Sequence, residues 1–187
     1  MIEGTNISPS RVRPEQDIIL SGCVGDHAVA VMAGRHDLIL PQTVTSDCAP
    51  LNGLVKEILA AVPQIAVLRD PTRGGLAATL NEIAMQAGVG IIVEETSIPI
   101  RSEVAAVCEI MGFDPLYLAN EGKMLIFVEP QFSAEVLAIM KAHKYGREAQ
   151  VIGKVTASPV GQVGVRTIIG GVRLLDMPVG EQLPRIC

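Results

Sequence analysis

Three segments of this sequence combine residue types and spacing suited to chemistry. The first is Arg69-Asp70-Pro71-Thr72-Arg73-Gly74-Gly75-Leu76. Paired glycines let a backbone come close to a ligand, and the free N–H groups that open a helix favour an anion. The segment reads as a phosphate-contacting loop through Thr72, Gly74 and Gly75. It reads equally as a tight strand-to-helix turn with Pro71 near the first helical position and Asp70 or Thr72 as cap. No Gly-Lys-Ser/Thr follows, so it is not a Walker A loop. The second segment is Ala119-Asn120-Glu121-Gly122-Lys123. A carboxylate at a strand end, here Glu121, suits a general base, and the same residues suit a polar turn. The third is the run from Met177 to Cys187, which Pro178 and Pro184 keep extended. Eleven residues span at most about 40 Å, so a thiol at the end of that arm has several sites within reach. Arg185 favours its thiolate and the adjacent terminal carboxylate opposes it. The plainer reading is a chance cysteine on a frayed end.

Other reactive side chains carry less. Asp26-His27 and His36-Asp37 raise the idea of a metal, but nothing supplies a third ligand at helical spacing, and no metal site is expected. Asp47-Cys48 lacks a nearby His. Cys23, Cys48 and Cys108 read as small buried apolar side chains. With no C-x-x-C pair, the cysteines fit a reducing compartment.

The elements that must position these segments follow from periodicity. Asp17 to Gly22 reads as a strand. Asp26 to Ala33 reads as a helix with Asp26 as N-cap, although its alternation also fits a strand. Leu51, Leu54, Val55, Ile58, Leu59 and Val62 mark an amphipathic helix that Pro63 ends. Ile65 to Leu68 is a buried strand, Leu76 to Ala87 a helix closed by Gly88, and Gly90 to Glu94 a strand. Ser102 is expected to cap a helix stopping at Gly112, and Ser133 another through Met140. Met124 to Val128 and Gln150 to Val155 are strands, and Val163 to Leu175 is a hairpin around Gly170-Gly171. Alternation followed by clustered strands predicts an α+β fold, a mixed β-sheet flanked by helices. Residues 1–16 read as an unpacked, linker-like lead-in, 17–176 as the domain and 177–187 as a mobile tail.

The chain has 187 residues, 49% of them hydrophobic and 19% charged, enough for one sizeable aliphatic core. A net charge of −5 with 3% aromatics argues against nucleic acid as a partner. No apolar run is long enough to span a membrane. Met1-Ile2-Glu3-Gly4 has no signal-peptide pattern, so the cytoplasm is the expected location.

Taken as an ordered set, Ser21-Gly22-x-x-Gly25-Asp26-His27, Ser46-Asp47-Cys48-Ala49-Pro50-Leu51, the Arg69–Gly75 loop, Asp114-Pro115-Leu116-Tyr117-x-Ala119-Asn120-Glu121-Gly122-Lys123 and the closing Pro184-Arg185-Ile186-Cys187 resemble the HypE family of hydrogenase maturation proteins. These are carbamoyl dehydratases of the aminoimidazole ribonucleotide synthetase and selenophosphate synthetase superfamily. The resemblance runs from about Ser8 to Cys187 and matches the C-terminal domain of that fold. It implies that an N-terminal domain holding ATP and Mg2+ and most homodimer contacts is absent here. It also implies roles. Cys187, at the end of the Pro184-Arg185-Ile186 tail, receives a carbamoyl group from HypF. ATP phosphorylates its oxygen, and Glu121 acts as base while phosphate leaves. Gly74 and Gly75 lie near the phosphates, and the resulting cyanide passes to iron on a HypC–HypD complex. On this reading the fragment alone is expected to be inactive in dehydration. The alternative is a non-catalytic docking module that binds maturation partners through its surface and tail.

Overall fold

The computed structural model describes residues 6–36 and 44–179. Strand β1 (Asp17–Leu20) is followed by α1 (Asp26–His36), α2 (Asn52–Ala61), β2 (Val67–Arg69), α3 (Gly75–Ala87) and β3 (Gly90–Glu94). Then come α4 (Ser102–Met111), β4 (Leu125–Val128), α5 (Pro130–Ala142), β5 (Gln150–Thr156), β6 (Val163–Arg166) and β7 (Val172–Leu174). The strands form one mixed sheet in the order β2-β4-β1-β5-β3-β6-β7. Only β3 and β6 pair in parallel among the described strands. The expected α+β architecture is what forms, with helices on a mixed sheet.

Side-chain alternation along the strands divides the core. Ile18, Leu20, Leu125 and Phe127 face one side, where Leu76, Leu80 and Ile83 of α3 cover them. Ile19, Ile126 and Val128 face the other side, against Leu54 and Ile58 of α2 and Val136 and Met140 of α5. A third cluster joins α1 to α4 through Val29, Met32, Val104 and Cys108. Residues 26–33, which fit either period, form a helix because Ala28, Val29 and Met32 gather on the face that meets α4.

The structure corrects several local expectations. Residues 8–16 are not an unpacked lead-in. Val12 is buried, Ser8 N–H donates to the Ala66 carbonyl at 2.9 Å, and the Glu15 and Gln16 main chains exchange bonds with Val155. The apolar side chain and those bonds outweigh a Pro- and Ser-rich composition. Ser133 is not a cap. Helix α5 starts a turn earlier at Pro130, whose fixed φ suits a first helical position, and the Ser133 hydroxyl donates inward to Asp17 Oδ2 at 2.6 Å. Ser102 is itself helical, with Arg101 in the cap position, and Asp26 is the first helical residue of α1 rather than its cap. At the ends of α3 and α4 the expected terminators hold, since Gly88 and Gly112 both adopt left-handed conformations.

Candidate functional site

Four connections meet at Asn120 and the two residues after it. Two of them are the loops after β1 and β2. The others are segment 44–51 before α2 and the stretch from Pro115 to Lys123 that leads into β4. Asn120 ties three of these together. Its side chain is fully buried. Its Nδ2 donates to the carbonyls of Pro71 (3.1 Å) and Leu118 (2.9 Å), and its Oδ1 accepts from Gly25 N–H at 2.8 Å. Its own N–H donates to the Pro71 carbonyl at 3.2 Å. The candidate base Glu121 is therefore the residue after a knot between the β1–α1 and β2–α3 loops. The fourth connection joins through Asp47, whose Oδ1 accepts from Glu121 N–H at 3.0 Å. On the other side, Ser21 exchanges bonds with Met124: Ser21 Oγ accepts from Met124 N–H at 2.9 Å, and the Met124 carbonyl accepts from Ser21 N–H at 3.0 Å.

The glycine pair at the head of α3 is demanded by packing. Gly74 and Gly75 have φ of 70° and 60°, the left-handed region. A Cβ on Gly75 would lie 2.5 Å from the Leu118 carbonyl oxygen and 2.7 Å from that of Leu116. Gly75 N–H is already donated to the Thr72 carbonyl at 3.0 Å. Of the two readings offered by the sequence, the tight turn is what these contacts account for. The neighbouring Thr72 and Gly74 remain partly open to solvent.

The end of the described chain arrives at this same turn. After β7, Leu175 is buried and its carbonyl accepts from Asn81 Nδ2 at 2.7 Å. Tyr117 Oη donates to the Asp176 carbonyl at 3.1 Å. Pro178 Cγ lies 3.0 Å from where a Gly74 Cβ would stand. Pro184, Arg185, Ile186 and Cys187 lie outside the described residues, as does Asp37.

Beyond Lys123, an open cavity of about 430 Å³ is walled by Asp26, Asp47, Cys48, Arg101, Lys123 and Glu148, among others. Arg101 bridges Asp26 Oδ2 and Glu148 Oε2, each at 3.1 Å. Burial raises the Asp26 pKa above its ordinary value, and the Arg101 hydrogen bond and charge pull against that shift. Asp26 is thus engaged with a guanidinium. His27 Nδ1 lies 2.9 Å from Ser46 Oγ. Burial pushes the Cys23 and Cys108 thiols up to about 11, with Glu148 adding to the Cys23 shift and Asp114 to that of Cys108. Both are protonated and poorly nucleophilic at neutral pH, in line with the apolar role expected of them. Cys48 departs from that expectation, for it is exposed. Asn120 and Asp47 were read in the sequence as parts of motifs without a role of their own. Apart from Leu118, the hydrogen-bond partners of Asn120 lie 49 to 95 residues away along the chain, and that of Asp47 lies 74 away. The polar run Thr45-Ser46-Asp47 ahead of an amphipathic helix was the one local signal.

Comparison with known proteins adds to this geometry. Residues 13–166 match the family model described as AIR synthase related protein, C-terminal domain. The chain is 50% identical over 184 residues to the carbamoyl dehydratase HypE of Rhodobacter capsulatus, covering 98% of this chain and 54% of that protein. The structure is similar to that of the hydrogenase maturation protein HypE in complex with ATP, with a TM-score of 0.92 and 44% identity, over 97% of this chain and 55% of the other. It is also similar to a crystal structure of a HypE–HypF complex, with a TM-score of 0.89 and 43% identity, over 95% and 58% of the two chains. The chain spans about half the length of the curated relatives it matches.

Proposed function

The chain belongs to the AIR synthase related family through that family's C-terminal domain, and from this premise we propose that it works in hydrogenase maturation as part of an ATP-dependent carbamoyl dehydratase. Its task is to carry a carbamoyl group on Cys187 and to present it to Glu121. The observation that supports this reading is the meeting of three features at one turn. Asn120 binds the Glu121 loop to Pro71, Gly74 heads α3, and Pro178 starts the tail against Gly74.

The chemistry follows from what an amide resists. A carbamoyl oxygen is a poor leaving group, so it must be converted into one. In the proposed sequence the Cys187 thiolate takes the carbamoyl group from HypF as a thiocarbamate. The carbonyl oxygen then attacks the γ-phosphorus of ATP and one N–H proton is lost, leaving an S-bound imidate phosphate and ADP. Glu121 removes the remaining N–H proton, the C–O bond breaks, and inorganic phosphate leaves a thiocyanate on sulfur. Delivery of cyanide from there to iron on HypC–HypD breaks the S–CN bond with two electrons supplied from the acceptor complex, and it returns the Cys187 thiolate. The thermodynamic drive is the phosphoryl transfer. This chain's contribution is a carrier thiol and a carboxylate at a fixed position.

The residues holding ATP and Mg2+ are assigned mainly to the half of the relatives that this chain does not match. Among the described residues no cluster of three His, Cys, Asp or Glu side chains could hold a metal ion. Thr72 and Gly74, partly open beside the tail's start, are the candidates for touching phosphate from this side. Gly75, whose N–H is already used, serves the turn. A cytoplasmic location and a homodimer formed by the longer protein complete the reading.

The test is a mass measurement on the C-terminal peptide after incubation with HypF, carbamoyl phosphate and ATP. A carbamoyl adduct on Cys187 that loses water only when the ATP-binding half is supplied is the expected result. Cys187→Ala should take up none. Uptake by Cys187→Ala, or no adduct on a chain carrying both halves, removes the carrier assignment.

A further inference from the structure

We propose that Asp47 is the positioning residue for Glu121, fixing the main chain of the base through Oδ1 and the neighbouring Lys123 through Oδ2. The inference rests on the reading of Glu121 as base and adds a residue to it. The Asp47 side chain is 2% exposed. Both partners of its carboxylate sit in the three residues it would have to place. Glu121 N–H donates to Oδ1 at 3.0 Å, and Lys123 Nζ lies 3.2 Å from Oδ2 as an ion pair without the alignment of a hydrogen bond. Between these two contacts stands Gly122, where any Cβ would strike the Asp47 carbonyl oxygen. The two main chains therefore touch, and the carboxylate grips the loop on both sides of the point of contact.

This grip matters because of what Glu121 lacks. Among the described residues its carboxylate has no hydrogen bond or ion pair of its own, so its direction is set by where its main chain lies. Asn120 anchors that main chain from one side and Asp47 from the other. Releasing the loop would leave the buried Asp47 carboxylate without partners, an unfavourable state that holds the two-point contact together. Lys123 completes the arrangement, its aliphatic stem lying 3.4 Å from where a Gly22 Cβ would be.

The test separates two readouts in a chain that carries both halves: carbamoyl load on Cys187, which does not need the base, and the rate of thiocyanate formation, which does. Asp47→Ala should slow thiocyanate formation by about 10- to 100-fold, the loss expected for a catalytic group displaced by about an ångström, while the carbamoyl load stays at the parent level. Asp47→Asn keeps an oxygen for Glu121 N–H and should recover most of that loss. Equal slowing by both variants, or a carbamoyl load that falls in step with the rate, overturns the proposal, since either marks a general structural role. Glu121→Gln is measured alongside. If it forms no thiocyanate while Asp47→Ala runs at the parent rate, positioning by Asp47 is wrong and the base stands. If Glu121→Gln runs at the parent rate, the base reading is wrong and the positioning role falls with it.

Discussion

The Glu121 loop and the departing strand-end at Asp176–Val179 reach the same turn of α3, and they are held there by different means. The loop is tied by buried and part-buried polar bonds from opposite sides. Asn120, fully buried, reaches Gly25, Pro71 and Leu118, and Asp47 takes the Glu121 N–H. The departing chain has one partly exposed tyrosine hydroxyl on the Asp176 carbonyl, a proline resting on Gly74, and a fully exposed Val179. A buried hydrogen bond is costly to break because its donor finds no water, whereas an exposed one exchanges for water at little cost. Under the proposed function, the contrast is a division of labour between a base that stays in place and a carrier that comes and goes.

The contrast yields ordered tests. Gly75→Ala should do the most damage. It forces a side chain into φ near 60° and against two backbone carbonyl oxygens. A loss of about 3 kcal/mol or more is expected, read from the urea midpoint. An Ala variant as stable as the parent would mean that the α3 turn yields easily and that the site is less rigid than its contacts imply. Asn120→Ala comes next. It strands the buried Gly25 N–H and removes two bonds to carbonyls. About 2–3 kcal/mol should be lost by the same measurement, with hydrogen exchange quickening at Gly25. Tyr117→Phe should do least. Its hydroxyl bond is exposed, so global stability should change by less than about 1 kcal/mol. Exchange at the Met177 amide should nevertheless rise while that at Glu121 stays slow. Equal acceleration at both amides would erase the distinction between the two regions.

Much of the architecture was legible in the chain before folding was considered. The i, i+3, i+4 spacing of Leu51 to Val62 marked α2, and Pro63 its end. Gly88 and Gly112 marked helix ends through their left-handed conformations. The ordered motifs from Ser21 to Lys123 and at Pro184 to Cys187 resemble those of the family independently of any fold. Where local signals misled, a longer-range contact had won. Ser133 looked like a cap, but Asp17, 116 residues away, claims its hydroxyl. Residues 8–16 had a linker's composition, but Val12 finds a place in the core.

Helices α2 and α3 and the glycine-ended turns were thus properties of the sequence itself, because propensity, capping and hydrophobic period act within a few residues, whereas α1 needed its packing on α4. The strand order β2-β4-β1-β5-β3-β6-β7 was decided by tertiary structure, and so was the meeting of Asp47 with Glu121, of Asn120 with Gly25 and of Pro178 with Gly74. These contacts join segments 74 to 104 residues apart, taking Gly74 to Pro178 as 178 − 74. No period or spacing encodes them. They exist because the sheet brings the ends of β1, β2 and β4 to one place, where buried polar groups must find each other once water is gone.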